Sequence, residues 1–194
     1  MVYIRVFILL MMIHLHSSCK GQSIINEAIK VCSELKTTEV FKDVYGENTQ
    51  MGIYKMVSLV EAEFKKEGFM KNVTKEHYLR LLEYVYSNKG SFSENELIKE
   101  FSSISGLLIT SIVIDCPYEI VVKERNKLNS SIVRQLANAS ELQALGYEKE
   151  AVINYIDEIS ESDFIHIEYR TPVIVILLFH LENTFRFMPN SADK

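Results

Sequence analysis

Apolar residues recur at intervals of three and four along most of this chain, the spacing that gathers side chains on one face of a helix. In residues 23–36 they are Ile25, Ala28, Ile29, Cys32 and Leu35, which predicts an amphipathic helix with those five turned inward. Residues 39–45 predict a further short helical turn, stopped at Gly46-Glu47-Asn48. Residues 52–66 repeat the pattern through Ile53, Met56, Val57, Val60 and Phe64, and close on Lys65-Lys66-Glu67-Gly68. Cations in a last turn and a glycine just beyond it are helix-stop signals. Thr74 is a candidate cap for a helix that turns Tyr78, Leu81, Leu82 and Val85 inward, with His77 where a capping box would place Glu or Gln.

Ser93-Glu94-Asn95-Glu96 reads as a capping box, serine at the cap and glutamate three residues later. It opens a helix through Leu97, Ile98 and Phe101. Residues 104–116 are the most apolar stretch beyond the N-terminus, and their β-branched content leaves helix and strand both open, with a buried helix favoured. Pro117 suits the first position of a helix running to Leu128, and another helix is expected over 129–145, ending at Gly146. Ala151, Val152, Tyr155, Ile156 and Ile159 predict a helix over 148–160. Phe164 to Tyr169 alternates as a strand would, but a lone strand has no partner here. Thr171-Pro172 reads as the start of a core helix from Val173 to Phe187, and the tail after Pro189 is expected to fray. About eight short to medium helices with short connections predict an all-α fold, a single multi-helix bundle.

A chain of 194 residues suits one domain that buries a core without metal or disulfide support. Ten Phe and ten Tyr against three Pro and seven Gly exclude a disordered or low-complexity chain. The net charge of −5 argues against a nucleic-acid binder, which carries a basic excess.

The N-terminus follows a different pattern. Arg5 is the only charge before Lys20, and an unbroken apolar run from Val6 to Ile13 follows it. Small residues come next at Ser17 and Ser18, then Cys19. A positive start, a short apolar run and a small-residue cleavage site are the parts of a secretory signal, and the run falls short of the roughly 20 residues that span a bilayer. The stretch Leu15-His16-Ser17-Ser18-Cys19 resembles a bacterial lipoprotein lipobox, with His16 departing from the aliphatic residue usual at that place. Cys19-Lys20-Gly21-Gln22 also resembles the start of Bacteroidota lipoproteins. The resemblance covers about 22 residues. It implies a signal peptide over 1–18, a lipid-bearing Cys19 and a tether over 19–22 and says nothing of the rest, where the apolar spacing predicts a helical domain over 23–188 and a frayed tail over 189–194. It also implies a cell-envelope protein held to the outer membrane and facing the periplasm. One acyl chain holds a protein only marginally, whereas three hold it permanently.

If Cys19 carries lipid, Cys32 and Cys116 remain in an oxidising compartment. A bond between them would close a loop of about 85 residues, which the chain-entropy model values at up to about 4–5 kcal/mol. The alternative is two separate buried thiols packing as small hydrophobes.

Catalytic chemistry is harder to find. His77, His166 and His180 each neighbour a carboxylate in sequence, but none stands in a zinc-ligand spacing, and no nucleophile elbow or phosphate-cradling glycine loop occurs. Gly90 and Gly106 are isolated and fit helix ends. Asp157, Glu158, Glu161 and Asp163 read as a solvated helix terminus, and Lys65, Lys66, Lys71 and Lys75 as a solvated face. The Asn-x-Ser/Thr sequons at Asn72, Asn129 and Asn138 are chance matches in a bacterial chain. No catalytic residue, metal ligand or cofactor site is therefore expected. The expected function is a membrane-tethered, non-enzymatic protein-interaction module, either immunity-type or an accessory subunit, with a protein partner in the envelope. The alternatives are a small-molecule-binding lipoprotein and, behind it, an enzyme built from residues distant in sequence.

Overall fold

The computed structural model describes residues 26–87, 92, 95–116, 118–120, 142 and 145–187, with side chains through Asn183 in the last helix. Among these residues there are seven α-helices and no strand, so the fold is all-α. The expected signal peptide and tether, most of the two helices expected over 118–128 and 129–145, and the tail lie outside the described residues.

Helix α1 is described over 26–45 and runs there without a break, so the short turn expected over 39–45 is its continuation. It ends at Gly46, whose N–H donates to Lys42 O at 2.7 Å and whose positive φ of 91° turns the following chain out of the helix. Its buried residues are Ile29, Ser33, Thr37 and Phe41, which corrects the expected inward face: Leu35 is 71% exposed and Val31 44%. Thr37 Oγ1 donates to Ser33 O at 2.7 Å, so the hydroxyl reaches the core with its hydrogen bond made.

Helix α2 (Ile53–Lys66) buries Ile53, Met56, Val57, Val60 and Phe64 as expected, and Glu61 with them. Phe69 and Met70 turn back past Gly68 and donate from their backbones to Phe64 O at 2.9 and 3.3 Å. Helix α3 (Lys75–Ser87) buries Tyr78, Leu81, Leu82 and Val85. Thr74 Oγ1 accepts from His77 N at 3.4 Å, as an N-cap does, and lies 2.7 Å from His77 Nδ1, a contact between the two side chains and not the return bond of a capping box.

Helix α4 (Glu96–Ile109) begins at Asn95, not at Ser93. Asn95 Oδ1 accepts from Ile98 N at 3.0 Å, while its amide donates to Glu63 Oε1 at 3.0 Å. Asparagine caps as well as serine does, and the second bond to α2 fixes the start there. The helix widens into a π-helical turn over Thr110–Asp115 and remains helical at 116 and 118–120. The stretch 104–116 is thus helix, not strand. The length from Glu96 to Ile120 is apolar and long enough to cross a membrane by composition, and half of that apolar window is buried within the protein. Gly106 lies inside α4, not at a helix end as expected: a Cβ there would stand 3.4 Å from Glu182 Oε2 and 3.8 Å from Phe179. The glycine marks the close approach of α4 to the last helix.

Helix α5 (Lys149–Glu158) follows a turn in which Gly146 and Tyr147 both adopt positive φ. Helix α6 (Glu161–Phe164) is a single turn capped by Ser160. Helix α7 (Ile167–Phe187) contains Pro172 inside its second turn, so it starts one turn earlier than Thr171-Pro172 predicted. The alternation over Phe164 to Tyr169 is no strand: Phe164 ends α6, Ile165 and His166 make the turn, and Ile167 opens α7. The reason is local. Arg170 donates to the carbonyls of Phe164 and Ile165 at 3.0 and 2.6 Å, and Thr171 Oγ1 donates to Ile167 O at 2.8 Å, so side chains hold the lead-in turn that proline's missing N–H would weaken.

Residues Val173 to Leu178 are fully buried on every side. A helix apolar all round belongs at the centre of a bundle, and α7 is there, with α4, α2 and α3 packed on it. Helix α3 also packs on α5.

Candidate functional site

Two places among the described residues concentrate polar or reactive groups against apolar ones. The first is sealed. Glu61 on α2, Tyr78 on α3 and Arg170 on α7 meet in the core, none more than 6% exposed. Arg170 Nε donates to Glu61 Oε1 at 2.7 Å and its Nη2 to Oε2 at 3.3 Å, a two-pronged pair. The Tyr78 hydroxyl donates to the same Oε1. Burial alone would lower the Arg170 guanidinium, but the Glu61 hydrogen bond and charge outweigh it and hold it above its ordinary value. Burial, and then the Glu61 charge, push the Tyr78 hydroxyl well above its ordinary range. Each of the two charges has its counter-charge and its hydrogen bonds, and none of the three side chains lines the cavities described below. The arrangement is a structural keystone joining three helices.

The second place is open. Cys32 on α1 and Cys116, just past the π turn, form a disulfide with Cα atoms 5.7 Å apart. Beside it lies an apolar groove of about 260 Å³, lined by Ala28, Val31, Cys32, Leu35 and Ile120 and edged by Lys36 and Glu119. Lys36 Nζ and Glu119 pair at 2.5 Å, and the hydrogen bond raises the lysine's pKa. Cys116 is buried, whereas Cys32 is part-exposed and faces the groove. The two thiols left open in sequence are therefore joined. Cys19 lies outside the described residues.

The remaining candidates stay apart. His77 bonds the Thr74 hydroxyl in the first turn of α3, His166 is exposed between α6 and α7, and His180 stacks on Tyr86 with ring centroids 4.0 Å apart. Among the described residues, no three His, Cys, Asp or Glu groups gather as a metal would need. The acidic cluster is used locally: Ser160 Oγ donates to Asp163 Oδ2 at 2.7 Å and accepts from Asp163 N at 3.1 Å. In the basic stretch, Lys66 pairs with Glu63 at 2.8 Å and Lys75 donates to Asp157 O at 2.9 Å.

Two other cavities are lined mainly by polar side chains. One of about 550 Å³ lies between α2 and α4, around Glu63, Lys66, Asn95 and Glu96. There Lys66 and then Asn95 hold the Glu63 carboxyl below its usual range, so it is ionised and a poor proton donor near neutral pH. Another, of about 390 Å³, lies between α1 and α2 around Thr37, Lys42, Gln50 and Tyr54.

Sequence reasoning missed the Glu61–Arg170–Tyr78 cluster, although one signal was present. Glu61 stands four residues after Val57 and three before Phe64, a charge on the apolar stripe of α2. A charge at such a position demands a buried partner, but the sequence does not say that the partner lies 109 positions away.

The chain matches no protein family, no curated protein and no solved structure.

Proposed function

We propose that this is a lipid-anchored protein of the bacterial cell envelope whose helical domain binds another protein, as an immunity-type protein or an accessory subunit. The observation that carries the reading is the run Leu15-His16-Ser17-Ser18-Cys19 behind a short apolar stretch with one leading charge. Residue 26, the first described residue of α1, stands seven positions after Cys19, so the chain between them reaches at most about 25 Å. The domain would then ride close to the lipid surface. The buried Glu61 and Arg170 are paired with each other inside the core and take no part in recognition at the surface. Small-molecule binding draws less support: the apolar groove is smaller than the roughly 300–1,000 Å³ of usual ligand pockets, and the cavities of about 550 and 390 Å³ are edged mostly by polar and charged residues, unlike such pockets.

Intact mass of the protein from native membranes tests the anchor. The expected mass is that of residues 19–194 plus acyl chains, and the Cys19→Ala variant loses both the lipid and the membrane association. An unlipidated chain of 194 residues overturns the reading.

A further inference from the structure

The disulfide and the π turn lie in direct succession. Cys116 N donates to Ser111 O, five residues back, as the last bond of the wide turn. In an α-helix its acceptor would be Ile112 O. A π turn takes up one residue more than an α turn, and each residue of an α-helix adds about 100° of rotation. If α4 is held fixed on α7, an α register through 110–115 would swing Cys116 away from Cys32 by roughly that angle. The covalent bond and the wide turn therefore define one geometry together. Ile120 and the Glu119 partner of Lys36 lie on the same short helical end and would move with it.

We infer that the Cys32–Cys116 bond is a redox latch on helical register, opened by a dithiol reductant that enters through the apolar groove and attacks Cys32. Access decides which sulfur is attacked, since Cys32 faces the groove and Cys116 is 1% exposed. A reductant thiolate bonds to Cys32 Sγ, and the electron pair of the broken S–S bond leaves on Cys116 Sγ, which takes a proton. The second thiolate of the reductant then attacks its own sulfur in the mixed disulfide. Cys32 leaves as thiolate and is protonated. The dithiol becomes a disulfide and the protein gains two electrons and two protons. With Cys116 released, residues 110–116 take up α register, the Lys36–Glu119 pair parts and Ile120 leaves the groove. The latch does not depend on the lipid anchor.

The test uses the full chain without denaturant. Treatment with the monothiol glutathione, followed by alkylation and peptide mass mapping, is expected to place the adduct on Cys32 and the free thiol on Cys116. Complete reduction with dithiothreitol is expected to change amide exchange across 111–116 several-fold while α2, α4 and α7 keep their protection. An adduct on Cys116, an unreactive bond, unchanged exchange in the reduced chain, or loss of protection throughout would each overturn the latch; the last would make the bond a plain staple. Deleting Thr110, exposed at the start of the wide turn, removes the extra residue and leaves Cys116 facing Cys32. That variant is expected to form the bond and to lose the reduction-dependent change; an unaltered response would also sink the inference.

Discussion

Helices α7 and α1 are of similar length, yet their sequences control their surroundings to different degrees. Val173 to Leu178 on α7 are 0% exposed. A helix apolar on every side has one stable place in a bundle, and other helices pack around it. On α1 the apolar and polar residues are mixed, and the face that reaches the core carries Ser33 and Thr37 while Val31 and Leu35 face out. Several rotations of α1 would bury similar apolar area. What selects among them is not its own periodicity but its attachments: Phe41 at one end, the Cys32–Cys116 bond in the middle and the Lys36–Glu119 pair beside it. A strongly patterned helix places itself, whereas a weakly patterned one is placed by its neighbours.

The α7 side of the comparison rests on groups that must stay uncharged or paired when buried, and alkaline pH attacks them together. Burial pushes the hydroxyls of Tyr78 and Tyr155 well above their ordinary value and that of Tyr86 up to about 12. Folding thus favours the protonated phenol. The stability this contributes is fully present below the unfolded value of 10.0 and is lost as pH climbs from there through the folded values. The expected outcome is cooperative loss of the whole fold. Far-ultraviolet circular dichroism should hold until above pH 10 and then fall together with a rise in tyrosinate absorbance. Ordinary titration of every tyrosine with the helices intact would break the picture of a sealed core.

The next largest effect is confined to one pair. Arg170→Ala leaves the Glu61 carboxylate buried without its counter-charge and removes the donors to Phe164 O and Ile165 O. Unfolding by urea should show a loss of about 3–5 kcal/mol. Replacing both charges, as Glu61→Leu with Arg170→Met, should cost less than the single change, because no orphan charge remains.

The same contrast explains how much was legible in the sequence. The all-α class, the inward faces of α2 and α3 and the buried α7 run could be read because local period and burial agree there. Three local misreadings share a cause. Ser93 lost the cap to Asn95 because Asn95 also bonds Glu63 on another helix. The start of α7 moved before Pro172 because Arg170 holds the preceding turn. The inward face of α1 moved off Leu35 because distant attachments orient that helix. Each was decided by a contact far away in sequence or by a side chain bonding a carbonyl. The open site was legible only as two cysteines; the π turn that aims Cys116 leaves no periodic trace.

The smallest expected effect tests the α1 side directly. Leu177→Ala in α7 removes a fully buried side chain and should cost about 2–5 kcal/mol, set by how far the neighbours collapse into the cavity. Leu35→Ala removes the same atoms from a residue 71% exposed, where there is little burial to lose. Its cost should lie within about 0.5 kcal/mol, as for ordinary surface positions. Urea unfolding of the two variants, with the disulfide intact in both, gives the ratio. A Leu35 loss approaching that of Leu177 would mean that this face is covered in solution, and that α1 is patterned after all, toward a surface other than the α7 core.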